Sequence, residues 1–169
     1  MREVRTPADM DGLDGLDGLV IPGGESTTIA MGIESAELEP AIRAHRDAGR
    51  PLMGTCAGMI VCDAEHLGLI DVNTRRNAFG RQLQSFEADL EIEGIGDEPL
   101  RAVFIRAPWV ERCGPGVEVL AVYDGHPVAV REGGVLASAF HPELTDDPRF
   151  HAIFMAMITT AHEREEAAR

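Results

Sequence analysis

Three short runs of residues have the types and spacing to do chemistry. The first is Gly54-Thr55-Cys56-Ala57-Gly58. A cysteine between two glycines, after an apolar run and before a helical stretch, has the pattern of a nucleophile elbow. The glycines permit a tight, strained turn that lifts the middle side chain to the edge of a sheet. A helix N-terminus behind it brings partial positive charge and free N–H groups to the sulfur, which favours the thiolate. The N–H of Ala57 is then positioned to bind an oxyanion. Outside that context, a cysteine in a short apolar run is ordinary core. The second run is Phe140-His141-Pro142-Glu143, whose histidine alone among the six ends a predicted strand. Residues i and i+2 of extended chain point the same way, with Cα atoms roughly 6.5 Å apart, and Pro142 stiffens the link. Glu143 can accept a hydrogen bond from one ring nitrogen of His141 and leave the other for Cys56. Alone, such a pair is a solvated surface feature as readily as a site; beside the elbow it becomes a triad candidate. The third run, Pro22-Gly23-Gly24-Glu25-Ser26, lets backbone approach a ligand with N–H donors and a helix start behind. Alone it reads equally as a plain turn.

The elements that must position these runs follow from hydrophobic patterning. Leu19-Val-Ile-Pro22 reads as a buried strand stopped by Gly23-Gly24, and a helix begins near Glu25, with Ser26, Thr27 and Thr28 offering capping oxygens. Glu37–Ala48 places Leu38, Ala41 and Ile42 on one stripe and ends at Gly49, an amphipathic helix with a glycine stop. Pro51-Leu-Met-Gly54 is a second strand, and the helix after the elbow runs to about Glu65. Strand, helix, strand, helix in this order predicts a parallel sheet with crossover helices. Ser85–Glu93 alternates Phe86, Ala88, Leu90 and Ile92 against acidic residues, a half-buried strand. Val103–Arg106, Val117–Tyr123, Val128–Arg131 and Val135–Phe140 are further strands. Asp147 to about Glu163 is a helix with Phe150, Ile153, Phe154, Met157 and Ile158 inward, and the charged tail Glu163–Arg169 is expected to fray. The triplet repeat Asp11–Leu19 matches no calcium-loop spacing and reads as a turn-rich lead-in. The strand ends at Pro22, Gly54 and Phe140 would converge on one crevice. The expected fold is α/β and three-layered, a mostly parallel, flavodoxin-like sheet with flanking helices and extra antiparallel strands in the C-terminal half, forming one domain over residues 1–169.

Composition narrows the functions. The 169 residues carry 15 basic and 29 acidic side chains, a net charge of −14, and every basic residue is arginine. A negative field of this size repels phosphate backbones and anionic lipids, which excludes nucleic acid and membrane surfaces as expected partners. Abundant Asp and Glu without Lys suits a salty cytoplasm, where salt screens self-repulsion; an ordinary acidic protein with biased codons is the alternative. No run approaches the roughly 18 apolar residues of a membrane span, no signal peptide is visible, and the expected location is the cytoplasm. Cys56, Cys62 and Cys113 form no CxxC pair, which argues against a disulfide framework or zinc site. Cys62 reads as helix filler and Cys113 as a loop thiol.

Together these runs resemble the class I (triad) glutamine amidotransferases, and among them the glutaminase subunit of pyridoxal 5′-phosphate synthase. The resemblance is carried by Asp17–Thr28, Gly54–Gly58, Arg76-Asn-Ala-Phe-Gly-Arg-Gln82, Ser85–Asp89, Phe104-Ile-Arg-Ala-Pro108 and Ser138–Thr145, spread over nearly the whole chain. It implies that Cys56 attacks the side-chain amide of glutamine, that His141 moves protons, and that Glu143 orients it. The N–H groups of Gly24 and Ala57 would form the oxyanion hole. Gly23, Gly24, Glu25, Arg76, Ile105 and Arg106 would hold the glutamine; a forked arginine suits its α-carboxylate and Glu25 its ammonium. No cofactor and no metal is implied. The implied partner is a synthase subunit that takes the ammonia, in a hetero-oligomer.

The chain departs from the family at its start. Members carry roughly 20 to 25 residues, one βα unit, with a Leu-Gln-Gly turn ahead of the counterpart of Val4-Arg5-Thr6-Pro7. The expectation is an N-terminally incomplete chain whose reading frame continues upstream of Met1. A truncated subunit that binds synthase or glutamine without turnover is the alternative, and a thiol hydrolase or peptidase on the same fold is a third, which Arg76 and Arg106 count against. The loop between Cys62 and Leu67 is shorter than the family's, with no consequence expected for the site.

Overall fold

The computed structural model describes residues 1–11, 15–79 and 85–167. In chain order the elements are α1 (Pro7–Asp11), β1 (Leu19–Ile21), α2 (Ser26–Ser35), α3 (Glu39–Asp47), β2 (Leu52–Thr55), α4 (Ala57–Cys62), β3 (Val72–Arg75), β4 (Ser85–Leu90), β5 (Leu100–Ile105), β6 (Trp109–Cys113), β7 (Glu118–Tyr123), β8 (His126–Glu132), β9 (Val135–Ser138) and α5 (Arg149–Ala167). A 3-10 turn, Pro142–Leu144, separates β9 from α5. Part of the triplet repeat and the Gly80-Arg81-Gln82 end of the arginine-rich run lie outside the described residues.

Apolar strands flanked by Pro and Gly build the centre. The main sheet has the order β1-β2-β9-β8-β7. β1 runs parallel to β2, with Ile21 opposite Gly54, and β2 runs parallel to β9, with Thr55 opposite Ser138. β8 and β7 are antiparallel additions, the extra strands expected in the C-terminal half, and they make the sheet mixed. The reason is in the turns. Asp124-Gly125 joins β7 to β8 and Gly133-Gly134 joins β8 to β9, with Asp124, Gly125 and Gly133 all at positive φ. Two-residue turns of this kind join antiparallel strands only. β2 and β9 are buried at every position, as strands covered on both faces must be. α4 packs on β2 and β9, and α2 on α4.

The sequence reading placed most elements and missed α1, β3 and β6. The two strands pair antiparallel, and β3 has a single buried apolar residue, Val72, among polar ones, so pairing rather than patterning makes it a strand. β9 stops at Ser138, two residues before the expected end, where the Ser138 hydroxyl donates to the carbonyl of Phe140 at 3.1 Å. α5 does not fray at Glu163 but continues to Ala167. His162 reaches Asp17 at 2.7 Å and Glu165 reaches Arg50 at 3.5 Å, which ties its last turns to the body. Gly18 makes room for this helix: a Cβ there would lie 2.6 Å from Ile158 and 2.9 Å from Phe154.

A chain of aromatic rings joins the antiparallel β4–β5 pair to the main sheet. Fully buried Phe104 stacks on Phe86 at 4.7 Å and meets Phe79 at 5.6 Å, Tyr123 at 5.6 Å and Phe140 at 5.8 Å. Phe140 continues to Phe150 on α5 at 5.0 Å. Among the described residues no helix is long and apolar enough to cross a membrane.

Candidate functional site

The parallel strands β1, β2 and β9 end side by side, and the three runs singled out in the sequence meet there. Cys56 follows β2 with φ 50° and ψ −108°, a conformation that strains a residue with a Cβ and marks a site held by its surroundings. The surroundings are specific. A Cβ on Gly58 would lie 2.0 Å from the carbonyl oxygen of Ile21, and one on Gly54 would lie 2.7 Å from that of Gly58. Gly58 is therefore needed for close packing of the bend against β1, and Gly54 for close packing of β2 against α4. The Cys56 N–H donates to Ser138 at 2.7 Å and its carbonyl accepts from Met59 at 3.1 Å. The thiol, 6% exposed, faces the carbonyl of Ile105 at 3.8 Å.

His141 arrives from β9. Its N–H donates to the carbonyl of Val103 at 2.9 Å, and its Nδ1 lies 2.7 Å from Glu143 Oε1. Extended chain does not produce this pairing as the sequence reading assumed, since Glu143 belongs to the 3-10 turn that Pro142 opens. Pro has no N–H to lose there and its φ suits a helical start. With Nδ1 engaged by a carboxylate, Nε2 remains for the sulfur. Hydrogen bonding with Cys56 is the largest influence on the imidazole and, with Glu143 adding to it against partial burial, raises its pKa from 6.5 to about 9. Gly23 lies between the two groups. A Cβ on it would sit 2.5 Å from His141 Cε1 and 3.4 Å from Cys56 Cβ, so Gly23 is a glycine because the imidazole occupies its side-chain space.

Gly24 and Glu25 complete the loop. Gly24 has φ 146°, open to glycine and strained for other residues. Glu25 caps α2: its carboxylate accepts from the N–H groups of Thr27 at 3.1 Å and Thr28 at 2.7 Å, and from the Thr28 hydroxyl at 2.9 Å. These donors hold its pKa down to about 2. The cap is thus Glu25 itself rather than the hydroxyls of Ser26, Thr27 or Thr28. Its extended backbone lets two carboxylate oxygens span donors that one hydroxyl cannot.

Arg76 follows β3 on an exposed turn with Asn77 at φ 48°. Its Nη1 donates to the Thr27 hydroxyl at 3.3 Å, beside the Gly23-Gly24-Glu25 loop, and its Nη2 lies 3.3 Å from His66 Nε2. Ile105 and Arg106 are exposed at the end of β5, with Arg106 at φ 45°. Arg106 has no hydrogen bond or ion pair with the described residues. The contribution of Asp63, His66 and Thr27 around Arg76 was not anticipated from sequence; an Asp-x-x-His spacing directly after the elbow helix was the available signal. Cys62 is buried and pushed up to about 12 by desolvation; burial also raises Cys113. Among the described residues no cluster of His, Cys, Asp and Glu could hold a metal ion.

Known proteins resemble this chain over most of its length. Residues 2–160 match the model of the SNO glutamine amidotransferase family. The pyridoxal 5′-phosphate synthase subunit PdxT of Mycolicibacterium vanbaalenii is 52% identical over 169 residues, 93% of this chain and 86% of that protein. The protein of the same name from Nocardia farcinica is 50% identical, with 90% and 74% covered. Among solved structures, a glutamine amidotransferase superposes with a TM-score of 0.86 at 46% identity, covering 94% of this chain and 86% of that one. PurLQS from Thermotoga maritima, at 17% identity and a TM-score of 0.62 over 88% of this chain and 79% of that one, shares the fold.

Proposed function

The chain belongs to the SNO glutamine amidotransferase family, and from that premise we propose that it hydrolyses glutamine to glutamate and ammonia as one cytoplasmic amidotransferase domain. The ammonia passes to a synthase subunit that makes pyridoxal 5′-phosphate, the assembly named for its relatives. The observation that carries this reading is the meeting of Cys56, His141 and Glu143 at the ends of β2 and β9, with Nδ1 of His141 bound to Glu143 at 2.7 Å.

The chemistry follows from the geometry. Cys56 gives its thiol proton to His141 and attacks the amide carbon of glutamine, forming a C–S bond and placing negative charge on the carbonyl oxygen. The N–H groups of Gly24 and Ala57 bind that oxyanion. His141, whose raised pKa favours holding that proton, passes it to the amide nitrogen. The C–N bond breaks, ammonia leaves and a γ-glutamyl thioester remains. Water then loses a proton to His141 and attacks the thioester, and glutamate departs as the thiol is restored. Glu143 keeps the ring oriented throughout. Arg76 and Arg106 receive the α-carboxylate, while Gly23, Gly24, Glu25 and Ile105 form the wall around the amino acid. Since the Glu25 carboxylate already caps α2, its bond to the substrate's ammonium uses its remaining lone pairs.

The test is glutamate formation from glutamine by this chain mixed with its synthase subunit in high salt. Turnover that Cys56→Ala abolishes supports the proposal. Tight docking without turnover would identify a binding subunit instead, and cleavage of peptides without glutamine hydrolysis would identify a thiol peptidase.

A further inference from the structure

Arg76 is a long, exposed side chain on a turn, which by itself would sample many rotamers. It is nonetheless held at two points, and one leads to a buried carboxylate. Asp63 ends α4 and is 1% exposed. Its Oδ2 accepts from the Thr74 hydroxyl at 2.5 Å and the Thr74 N–H at 3.3 Å. Its Oδ1 accepts from the Glu65 N–H at 3.0 Å and lies 2.7 Å from His66 Nδ1. The far side of the same ring, Nε2, lies 3.3 Å from Arg76 Nη2.

The chemistry at the two ends of this ring determines its protonation. An ionised carboxylate only accepts hydrogen bonds and a guanidinium only donates them. A hydrogen bond at each end therefore requires the hydrogen on Nδ1 and a lone pair on Nε2, the neutral Nδ1–H tautomer. Asp63 selects that tautomer and, through Thr74, anchors it to β3, two residues before Arg76. His66 turns the acceptor toward the guanidinium while Thr27 holds Nη1. The N–H groups of Arg76 not used by these two partners stay available to a carboxylate.

We infer that Asp63 and His66 are positioning residues for substrate affinity: they hold the Arg76 guanidinium in place for the α-carboxylate of the amino acid, without touching the substrate themselves. This rests on the glutaminase reading above and extends it to the short loop between Cys62 and Leu67, which therefore has a task at the site. Arg76 grips the substrate far from the amide that reacts. An interaction of that kind is made equally in the ground and transition states, and its loss raises KM while leaving kcat alone.

His66 is the better probe, because its side chain is 27% exposed whereas Asp63 is buried with four hydrogen bonds and its replacement endangers folding. The effect of freeing one rotamer-rich side chain is about 2- to 12-fold in affinity. His66→Ala is therefore expected to raise the KM for glutamine by about 5-fold with kcat within about 2-fold of the parent. His66→Gln, whose carbonyl reaches toward the place of Nε2, should restore most of the KM. Calorimetric binding of glutamine to Cys56→Ala and to Cys56→Ala/His66→Ala, each docked on the synthase subunit, gives the same comparison without turnover. An unchanged KM and binding constant in the His66→Ala backgrounds overturns the inference alone, as does a loss confined to kcat or a failure of His66→Gln to rescue. Absence of glutamine binding by the Cys56→Ala protein overturns the glutaminase reading, and this inference with it.

Discussion

Replacing Gly23 by alanine tests how tightly the imidazole is held. The added methyl carbon would lie 2.5 Å from His141 Cε1 and 3.1 Å from Nδ1. Carbon atoms in contact settle near 3.5–4.0 Å, so the ring must retreat by about 1 Å. It has little freedom to do so, since Nδ1 is tethered to Glu143 at 2.7 Å and the other face looks toward Cys56. Retreat either stretches the bond to Glu143 or carries the ring away from Cys56. A misplacement of about 1 Å at reacting groups costs about 100-fold in rate. Gly23→Ala is therefore expected to lower kcat by about two orders of magnitude while the protein stays folded at the assay temperature, because the residue is in a partly exposed loop. The assay is glutamate formation on the synthase subunit, with thermal unfolding followed in parallel. Gly32→Ala in α2, where a Cβ meets nothing within 4 Å, is the matched control and should keep full activity. Gly23→Ala with kcat within a few-fold of the parent would refute the reasoning, and so would an activity loss that merely tracks unfolding.

Other outcomes follow from the same geometry. Substoichiometric iodoacetamide should alkylate Cys56 before Cys113 and Cys62, since burial raises both of the others; peptide mass mapping reads the order, and preferential labelling of Cys113 would contradict it. The pKa of His141 is raised in the fold from 6.5 to about 9, mainly by Cys56 and then Glu143, so its contribution to stability is complete below pH 6.5 and lost as pH rises through about 9. Denaturant melts of the parent and His141→Asn should differ most near pH 6 and converge near pH 10; a constant difference across that range is the contrary result. Gly58→Ala would place a methyl 2.0 Å from the Ile21 carbonyl oxygen and should destabilise the chain by about 1–3 kcal/mol or more, visible as a lower unfolding midpoint even in the absence of substrate.

Much of the site is legible in the sequence because its demands are local. A glycine on each side of Cys56 reports a bend that no side chain can enter, and the structure shows the carbonyl oxygens of Ile21 and Gly58 filling those spaces. His141 and Glu143 are close in the chain and would meet in either an extended strand or a 3-10 turn, so an incorrect local conformation still brought them together. The Asp63–His66–Arg76 connection was not legible in that way. It depends on the loop after α4 folding back beside β3, a tertiary event with no periodicity of its own. The same holds for β3 and β6, which are strands because they pair with each other. The antiparallel strands expected in the C-terminal half were legible for a local reason, since Asp124-Gly125 and Gly133-Gly134 are hairpin turns.

Phe104 has a consequence for how this protein can vary. Its ring touches Phe79, three positions beyond Arg76, and Phe140, the neighbour of His141, and its own chain leads directly into Ile105 and Arg106. One side chain is thus the common neighbour of groups that arrive from distant parts of the chain. A smaller residue there would loosen the grip on the amino acid and the proton-transfer histidine at the same time, so mutational drift at this position is visible to selection through two separate properties at once.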